Sequence, residues 1–375
     1  LKVATTILVF CVAALLALGL VMLYSASMGP KGAHFLIMQV TWGGVGLVIC
    51  FIAAALDYRH LKKVSWLLFG LAAVLLALVL VPGIGMKING ARRWFDLKVM
   101  HFQPSELAKI ALIIAIAHYG ERFQRQMGTF QRGVFLPGAF IGLILVLILA
   151  GRDYGTTILM ICVSAAMLLV AGARWRFLLP PIFVAVVGLG IAIWFNPIRS
   201  KRIAAWLNPD ETKSDIGYQA YQSMLALGAG GWTGVGLGDG RQKLGFVPEH
   251  HTDFILSVIG EELGLVATLA VLVAFIFLVI CGIYIAWNAR DTFGLLLASG
   301  ISLLIGLQAF VNIGVVTSAL PNKGLPLPFI SYGGSNLVMM LAGMGLLLSV
   351  ARRAHEGVTM PIESEPAAVP SPQPS

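Results

Sequence analysis

Charge is what this chain has least of. Asp, Glu, Lys and Arg make up 11% of its 375 residues, too few for a domain of that size to cover a water-exposed surface. Cysteine is scarce too. Cys11, Cys50, Cys162 and Cys281 each sit inside an apolar run and no CxxC spacing occurs, so small buried hydrophobes are expected rather than disulfides or a metal site. A nucleotide-binding loop is also missing. Glycines are plentiful, but no Walker lysine follows them at P-loop spacing and no strand pattern precedes them. The chain shows no internal repeat. Its net charge is +9, yet the basic residues lie scattered between apolar runs and build no continuous face, which argues against a nucleic-acid partner.

What the chain does have is long apolar sequence: 58% hydrophobic residues and a mean hydropathy of +0.88. Runs such as Leu263–Ala286 and Phe293–Val316 match the thickness of a hydrocarbon core. The expected fold is an all-α polytopic membrane protein with ten spans, near 4–27, 35–56, 64–82, 104–119, 133–150, 155–172, 177–195, 255–286, 293–318 and 331–350. The first run is too long for a cleaved leader and is expected to be retained. The chain opens on Leu1 rather than Met, so a few preceding residues are expected. Connections after spans 2, 4, 6 and 8 hold Arg59, Lys62, Lys63, Arg122, Arg125, Arg132, Arg174, Arg176 and Arg290, and Arg352 and Arg353 follow span 10. By the positive-inside rule that side, with both termini, is cytoplasmic. The membrane domain is then 1–353, with a large extracytoplasmic loop at 196–254. The Pro-rich segment 354–375 is expected to be a disordered cytoplasmic tail.

Short outer loops carry one basic residue each, Lys31, Arg152 and Lys323. The two long outer loops carry ten cations: Lys87, Arg92, Arg93, Lys98, Arg199, Lys201, Arg202, Lys213, Arg241 and Lys243. An anionic partner at the outer leaflet would account for them. Lys109 is a cation near the start of an apolar span, and Glu106 at i−3 can neutralise it. That pair is either structural or part of a phosphate site with Arg92 and Arg93, whose forked donors suit phosphate. Trp94 is either an interfacial belt residue or a surface for a sugar to stack on. Asp153 reads as a helix N-cap. The glycine-rich stretch 228–240 is either a mobile loop or a backbone cradle for a pyrophosphate, with Arg241 and Lys243 adding charge. Asp253, ahead of span 8, is either an N-cap or a general base at the mouth of a polar cleft. Glu249, His250, His251 and Asp253 are a weaker candidate metal set, since adjacent histidines on a loop are no ligand signature.

Six segments, taken in order, resemble one family. They are GARRWF at 90–95, FQPSELAK at 102–109, GYQAYQS at 217–223, GVGLGDGRQKLGFVPEHHTDF at 234–254, GEELG at 260–264 and LPNKGLPLPFISYGGS at 320–335. They resemble the SEDS family (shape, elongation, division and sporulation), membrane peptidoglycan glycosyltransferases typified by RodA and FtsW, and more the FtsW division branch. Asn336 stands where the family often has a further Ser. The resemblance implies polymerisation of lipid II outside the cytoplasmic membrane of a bacterium, with undecaprenyl diphosphate as leaving group. It implies Asp253 as the essential acid and gives importance to Trp94, Glu106 and Lys109. It extends the substrate-binding candidates beyond Arg92, Arg93, Arg241 and Lys243 to Gln103, Ser105, Asp153, Gln219, Gln222, Ser223, Glu249, His251, Thr252, Glu261, Ser331 and Gly333. No resident cofactor is implied, and a divalent cation, Mg or Mn, is left open. Expected partners are membrane lipids, other division proteins and a class B penicillin-binding transpeptidase docking on spans 8 and 9 and the outer loops. Two rival readings stay open: a lipid II flippase, and a scaffold that recruits the transpeptidase.

Overall fold

A computed structural model describes residues 1–26, 34–88, 90–96, 101–208, 217–241 and 252–359. Among the described residues twelve α-helices follow one another: α1 Lys2–Ala26, α2 His34–Ala55, α3 Leu61–Leu80, α4 Pro104–Arg122, α5 Leu136–Ala150, α6 Tyr154–Val170, α7 Trp175–Trp194, α8 Pro197–Leu207, α9 Tyr218–Gly230, α10 Ile255–Trp287, α11 Thr292–Val316 and α12 Gly334–Thr359. Each expected span is matched by a helix. Among the described residues eight helices are long and apolar enough to cross a membrane. The other two expected spans are α6, apolar but short, and α4, which carries charge. Helix α12 runs past the expected boundary at 353 to Thr359, because nothing before Pro361 interrupts it. Residues 360–375, the rest of the expected tail, lie outside the described residues.

Local chemistry explains the helix starts. Pro104 and Pro197 occupy first turns, where no amide hydrogen is needed. Asp153 caps α6 by accepting the Thr156 amide, and Asp291 caps α11 by accepting the Gly294 amide at 2.8 Å. Between α3 and α4 the chain forms a small antiparallel sheet of β1 Met86–Ile88, β2 Ala91–Asp96 and β3 His101–Phe102, in the order β1-β2-β3.

Helix α4 runs through the centre and is buried on all sides from Ala108 to Ala117. The periphery is inverted relative to a water-soluble protein. Phe10, Phe51, Leu67, Val146, Phe183 and Trp194 are exposed on α1, α2, α3, α5 and α7, an arrangement that hydrocarbon solvates and water does not. All four cysteines are free thiols.

One irregularity positions the site. Asn312 of α11 reaches the Asp253 carbonyl at 2.8 Å. From Thr292 to Asn312 α11 climbs about 30 Å, whereas a straight α10 would measure about 48 Å from Trp287 to Ile255. The two lengths are reconciled at Gly264, where α10 breaks with φ 77° and ψ −173°. The break turns the first turns of α10 aside and keeps Asp253 about 6 Å, four residues, below the end of α11. The backbone groups freed by the break are taken up by the glycine loop. Leu265 and Val266 amides donate to Gly231 and Trp232 carbonyls at 2.9 and 3.2 Å, and Val235 and Gly236 amides donate to Glu261 and Glu262 carbonyls at 3.0 and 3.1 Å. The two glutamates, both buried, clamp the same loop. Glu262 accepts the Ser25 hydroxyl and the Gly238 amide, and Glu261 accepts the Arg241 amide at 2.8 Å.

A Cβ at position 264 would run into the Trp232 carbonyl and the Gly234 amide, at a backbone angle that L-residues avoid. Gly264→Ala therefore costs at least about 1–3 kcal/mol in backbone strain alone, read as a clearly lowered thermal unfolding midpoint in detergent. Gly70→Ala, on α3 with nothing within 4 Å of the added carbon, leaves the midpoint unchanged or raises it. Equal midpoints for the two variants would remove the break's structural role.

Candidate functional site

At the end of the bundle where α4 and α6 begin and α11 ends, a cavity of about 380 Å³ opens. Three walls enclose it. The first comes from β2 and the starts of α4 and α6, and contributes Arg93, Trp94, Gln103, Glu106, Arg152, Asp153 and Thr156. The second comes from Asn196 and the α8 side chains Arg199 and Arg202, with Gln219 of α9. The third is the irregular segment leading into α12, contributing Asn322, Lys323, Gly324, Tyr332 and Gly333, with Asn336 of α12 itself. Thr252 and Asp253 complete the lining.

The charge balance of this lining is decisive. Five cations, Arg93, Arg152, Arg199, Arg202 and Lys323, face three carboxylates, Glu106, Asp153 and Asp253. Glu106 is ion-paired with Lys109 at 2.7 Å, both buried, and accepts the Asn336 side-chain amide at 2.8 Å. Asp153 serves its own helix start, accepting the Thr156 hydroxyl at 3.1 Å and the Gln103 amide at 3.3 Å. Arg93 is oriented by the Gly151 carbonyl at 3.0 Å and by the Arg152 carbonyl, and lies 3.8 Å from Asp153.

Arg199, Arg202 and Lys323 have no carboxylate within ion-pair distance among the described residues. Arg199 lies over the Tyr154 ring, 5.1 Å from its centroid. Burial lowers the Arg199 pKa and the like charges of Arg202 and Arg93 add to that, against a smaller opposing pull from Asp153 and Tyr154. Burial and then Arg199 lower the Lys323 pKa, with Cys162 opposing. Unpaired, part-buried cations that repel one another form a receptor for an anion. The N-termini of α4, α6 and α12 open onto the same space and add their positive dipole ends.

The cavity thus gathers Arg93, Trp94, Gln103, Glu106, Asp153, Gln219, Thr252, Asp253 and Gly333 from the expected set. Others fall outside its lining. Arg92 donates to the Leu80 carbonyl at 3.4 Å. Ser105 is buried and accepts from Gln103 at 2.9 Å. Lys109 is enclosed beneath Glu106. Gln222 is half-buried on α9. Ser223 is buried and donates to the Val316 carbonyl at 2.8 Å. Arg241 and Glu261 belong to the glycine-loop clamp. Ser331 is buried and accepts the Leu327 amide at 2.8 Å. Lys243, Glu249, His250 and His251 lie outside the described residues. Among the described residues no three His, Cys, Asp or Glu side chains gather as metal ligands.

The cavity also holds residues that were not among the expected site residues: Arg199, Arg202 and Lys323, noted only as outer-loop cations, Asn336, noted only as a departure from the family pattern, and Asn322. The cations carried a signal in their place in loops expected on the outer side, and Arg199 and Arg202 recur at i,i+3 on a helix opened by Pro197. Asn336 carried none, since its importance is that it bonds Glu106.

The chain matches the family model FTSW_RODA_SPOVE, described as cell cycle protein, over residues 5–356. It is 43% identical over 341 residues to a protein of Geobacter sp. (strain M18) named Probable peptidoglycan glycosyltransferase FtsW, covering 89% of this chain and 93% of that one. Among solved structures, a chain of a peptidoglycan synthase complex, described as coordinating polymerization and crosslinking, superposes with a TM-score of 0.79 at 33% identity, covering 93% of this chain and 98% of that one. The rod shape determining protein RodA of Thermus thermophilus superposes with a TM-score of 0.70 at 32% identity, covering 93% and 96%. A family model matched across nearly the whole chain, relatives of this similarity and the shared fold together establish that the chain belongs to the FtsW, RodA and SpoVE family of cell cycle proteins.

Proposed function

We propose that this chain is a peptidoglycan glycosyltransferase that polymerises lipid II, with Asp253 as general base and the cation cluster of the cavity as receptor for the diphosphate. The observation that carries the reading is the shared cavity: Asp253 lines the same space as five cationic side chains. In the reaction an acceptor sugar hydroxyl attacks the donor's anomeric carbon. A carbon–oxygen bond forms, the bond to the lipid diphosphate breaks, and the hydroxyl proton passes to the Asp253 carboxylate. Single displacement with one base inverts the anomeric centre, by analogy with inverting sugar chemistry. Arg199, Arg202 and Lys323 stabilise the departing diphosphate. They take over the role expected of Arg92, which lies outside the lining, and supplement Arg93. The diphosphate bond supplies the driving force, so no nucleotide is needed.

The site end is proposed to face outward from the cytoplasmic membrane, with both chain ends cytoplasmic. The opposite end carries Arg59, Lys62, Arg353 and their partners Asp57, Glu121 and Asp291 in ion pairs of 2.7 to 3.3 Å, in line with the positive-inside rule. The relative's membership of a synthase complex supports a transpeptidase partner. An apolar groove of about 380 Å³ between α10 and α11, lined by Leu272, Phe275, Val279, Leu303 and Phe310 among others, suits its membrane helix. A flippase would place its site near the bundle's midplane, whereas Asp253 lies near one end.

Purified Asp253→Asn is expected to keep its fold and lose polymerisation of lipid II by about 10²–10⁴-fold, measured as glycan chain formation. Normal polymerisation would eliminate Asp253 as the base. The depressed Lys323 pKa has a definite sign. The lysine must be protonated to hold an anion, so the alkaline fall of kcat/KM sets in below the range of an ordinary lysine. Lys323→Arg, charged throughout, moves that fall to higher pH, and Lys323→Met lowers kcat/KM at pH values below the fall, where the wild-type lysine is protonated. An unchanged alkaline limb in Lys323→Arg would exclude Lys323 from diphosphate binding.

A further inference from the structure

We infer that Asn312 is a positioning residue that fixes the Asp253 carboxylate relative to the Lys323 segment; this rests on the reading of Asp253 as general base. Asn312 lies within α11 and is 1% exposed. Its side-chain amide donates to two carbonyls at once, Asp253 O at 2.8 Å and Leu325 O at 2.7 Å. Both partners are acceptors only, so the NH2 group must be the one that faces them. One amide thereby ties the turn that bears the base to the segment that bears Asn322, Lys323 and Gly324.

The other half of the same side chain is idle. Asn312 Oδ1 is buried and has no hydrogen-bond partner among the described residues. An orphaned buried acceptor is a cost, and an aliphatic side chain of similar size would avoid it. What asparagine supplies here is the pair of N–H bonds, and their targets are the two segments that bound the reacting centre.

The contact between those segments is close. Asp253 sits in the turn that precedes α10, where neighbouring residues are anchored: Phe254 is buried, and its carbonyl accepts the Ser257 amide at 3.0 Å. Across the gap, a Cβ built on Gly324 would come within 2.5 Å of Asp253 Oδ2. The carboxylate therefore lies directly against the segment that Asn312 holds from behind. Gln308, one turn earlier on α11, repeats the device, donating to the Pro326 carbonyl at 2.8 Å and accepting from Lys109 at 2.9 Å. The Asp253 bond belongs to Asn312 and is absent from the Gln308 set.

The test is a kinetic cycle on the purified full chain with lipid II as substrate, comparing wild type, Asn312→Leu, Asp253→Asn and the double variant. Asn312→Leu is expected to lower kcat about 10- to 100-fold with KM changed less than about threefold. In the double variant the leucine is expected to add nothing to the loss caused by Asp253→Asn, because the base it positions is already gone. A merely structural role would instead multiply the two losses. Gly324→Ala, which presses on the same carboxylate from the other side, is expected to show the same fall in kcat at steady KM, and it decides the question if Asn312→Leu does not fold. Full turnover by the leucine variant, multiplied losses in the double variant, or full turnover by Gly324→Ala would each overturn the inference. If Asp253→Asn itself turns over normally, the underlying assignment of the base fails, and that result is distinct from all three.

Discussion

A lysine ammonium enclosed in an apolar helix bundle must find an anion, and the Lys109–Glu106 pair is the interaction around which this site is built. Its 2.7 Å ion pair is almost wholly removed from solvent, where leaving either partner alone costs about 3–5 kcal/mol. Each partner has a second contact, and each leads to a different wall. Glu106 binds Asn336 of α12, while Lys109 binds Gln308 of α11, which in turn holds the Pro326 carbonyl. The pair thus joins α4, α11, α12 and the irregular 320–333 segment in one polar chain. Irregular backbone inside a bundle survives only where such partners satisfy it.

The same constraint governs the break in α10. A helix interrupted at Gly264 exposes amides and carbonyls that hydrocarbon cannot satisfy, and the 231–236 backbone supplies their partners strand-fashion. The interruption has a geometric result. It lets a helix far longer than α11 bring its first residue level with the last turn of α11, so that Asp253 and Asn312 meet. Gly264 and the glycines of the loop it pairs with form a single structural unit, although some thirty residues separate them along the chain.

Much of this was legible in the sequence because a bilayer leaves few choices. Long apolar runs can only be helices, and nine of the ten were read to within a few residues, α12 alone running nine residues past the expected span. Lys109 announced itself as a charge in an apolar span, and Glu106 at i−3 as its partner. The sheet 86–102 was not legible, since Ala91–Asp96 lacks the apolar–polar alternation of a half-buried strand. Glu261, Ser223 and Ser331, expected among the substrate-binding residues, lie outside the cavity lining and bond to backbone groups. A motif marks residues as constrained without saying whether the constraint is a ligand or a neighbouring carbonyl, and here it is the backbone. Gln308 and Asn312, two amides a turn apart in an otherwise apolar run, carried a signal of the same kind as Lys109. Only their partners, more than a dozen residues away in sequence, give it meaning.

The arrangement of charge also separates binding from rate. A diphosphate is anionic before and after its bond to the sugar breaks, so cations that contact its outer oxygens stabilise substrate and product alike and act on KM. Charge grows during the reaction on the oxygen that leaves the anomeric carbon, and a cation near that oxygen acts on kcat. Under the glycosyl-transfer reading, with Asp253 as base, the base and the leaving oxygen lie on opposite sides of one carbon, a few ångströms apart. The cation suited to the second role must therefore stand close to Asp253. The 320–326 segment reaches that neighbourhood at Gly324, which abuts the Asp253 carboxylate, and it carries Lys323, whose ammonium lies within electrostatic reach of Arg199 on α8. On that reading Lys323 links the diphosphate-binding cations of α8 to the segment that bears on the base, and the Asn312 amide ties that segment to α11 and to Asp253 together.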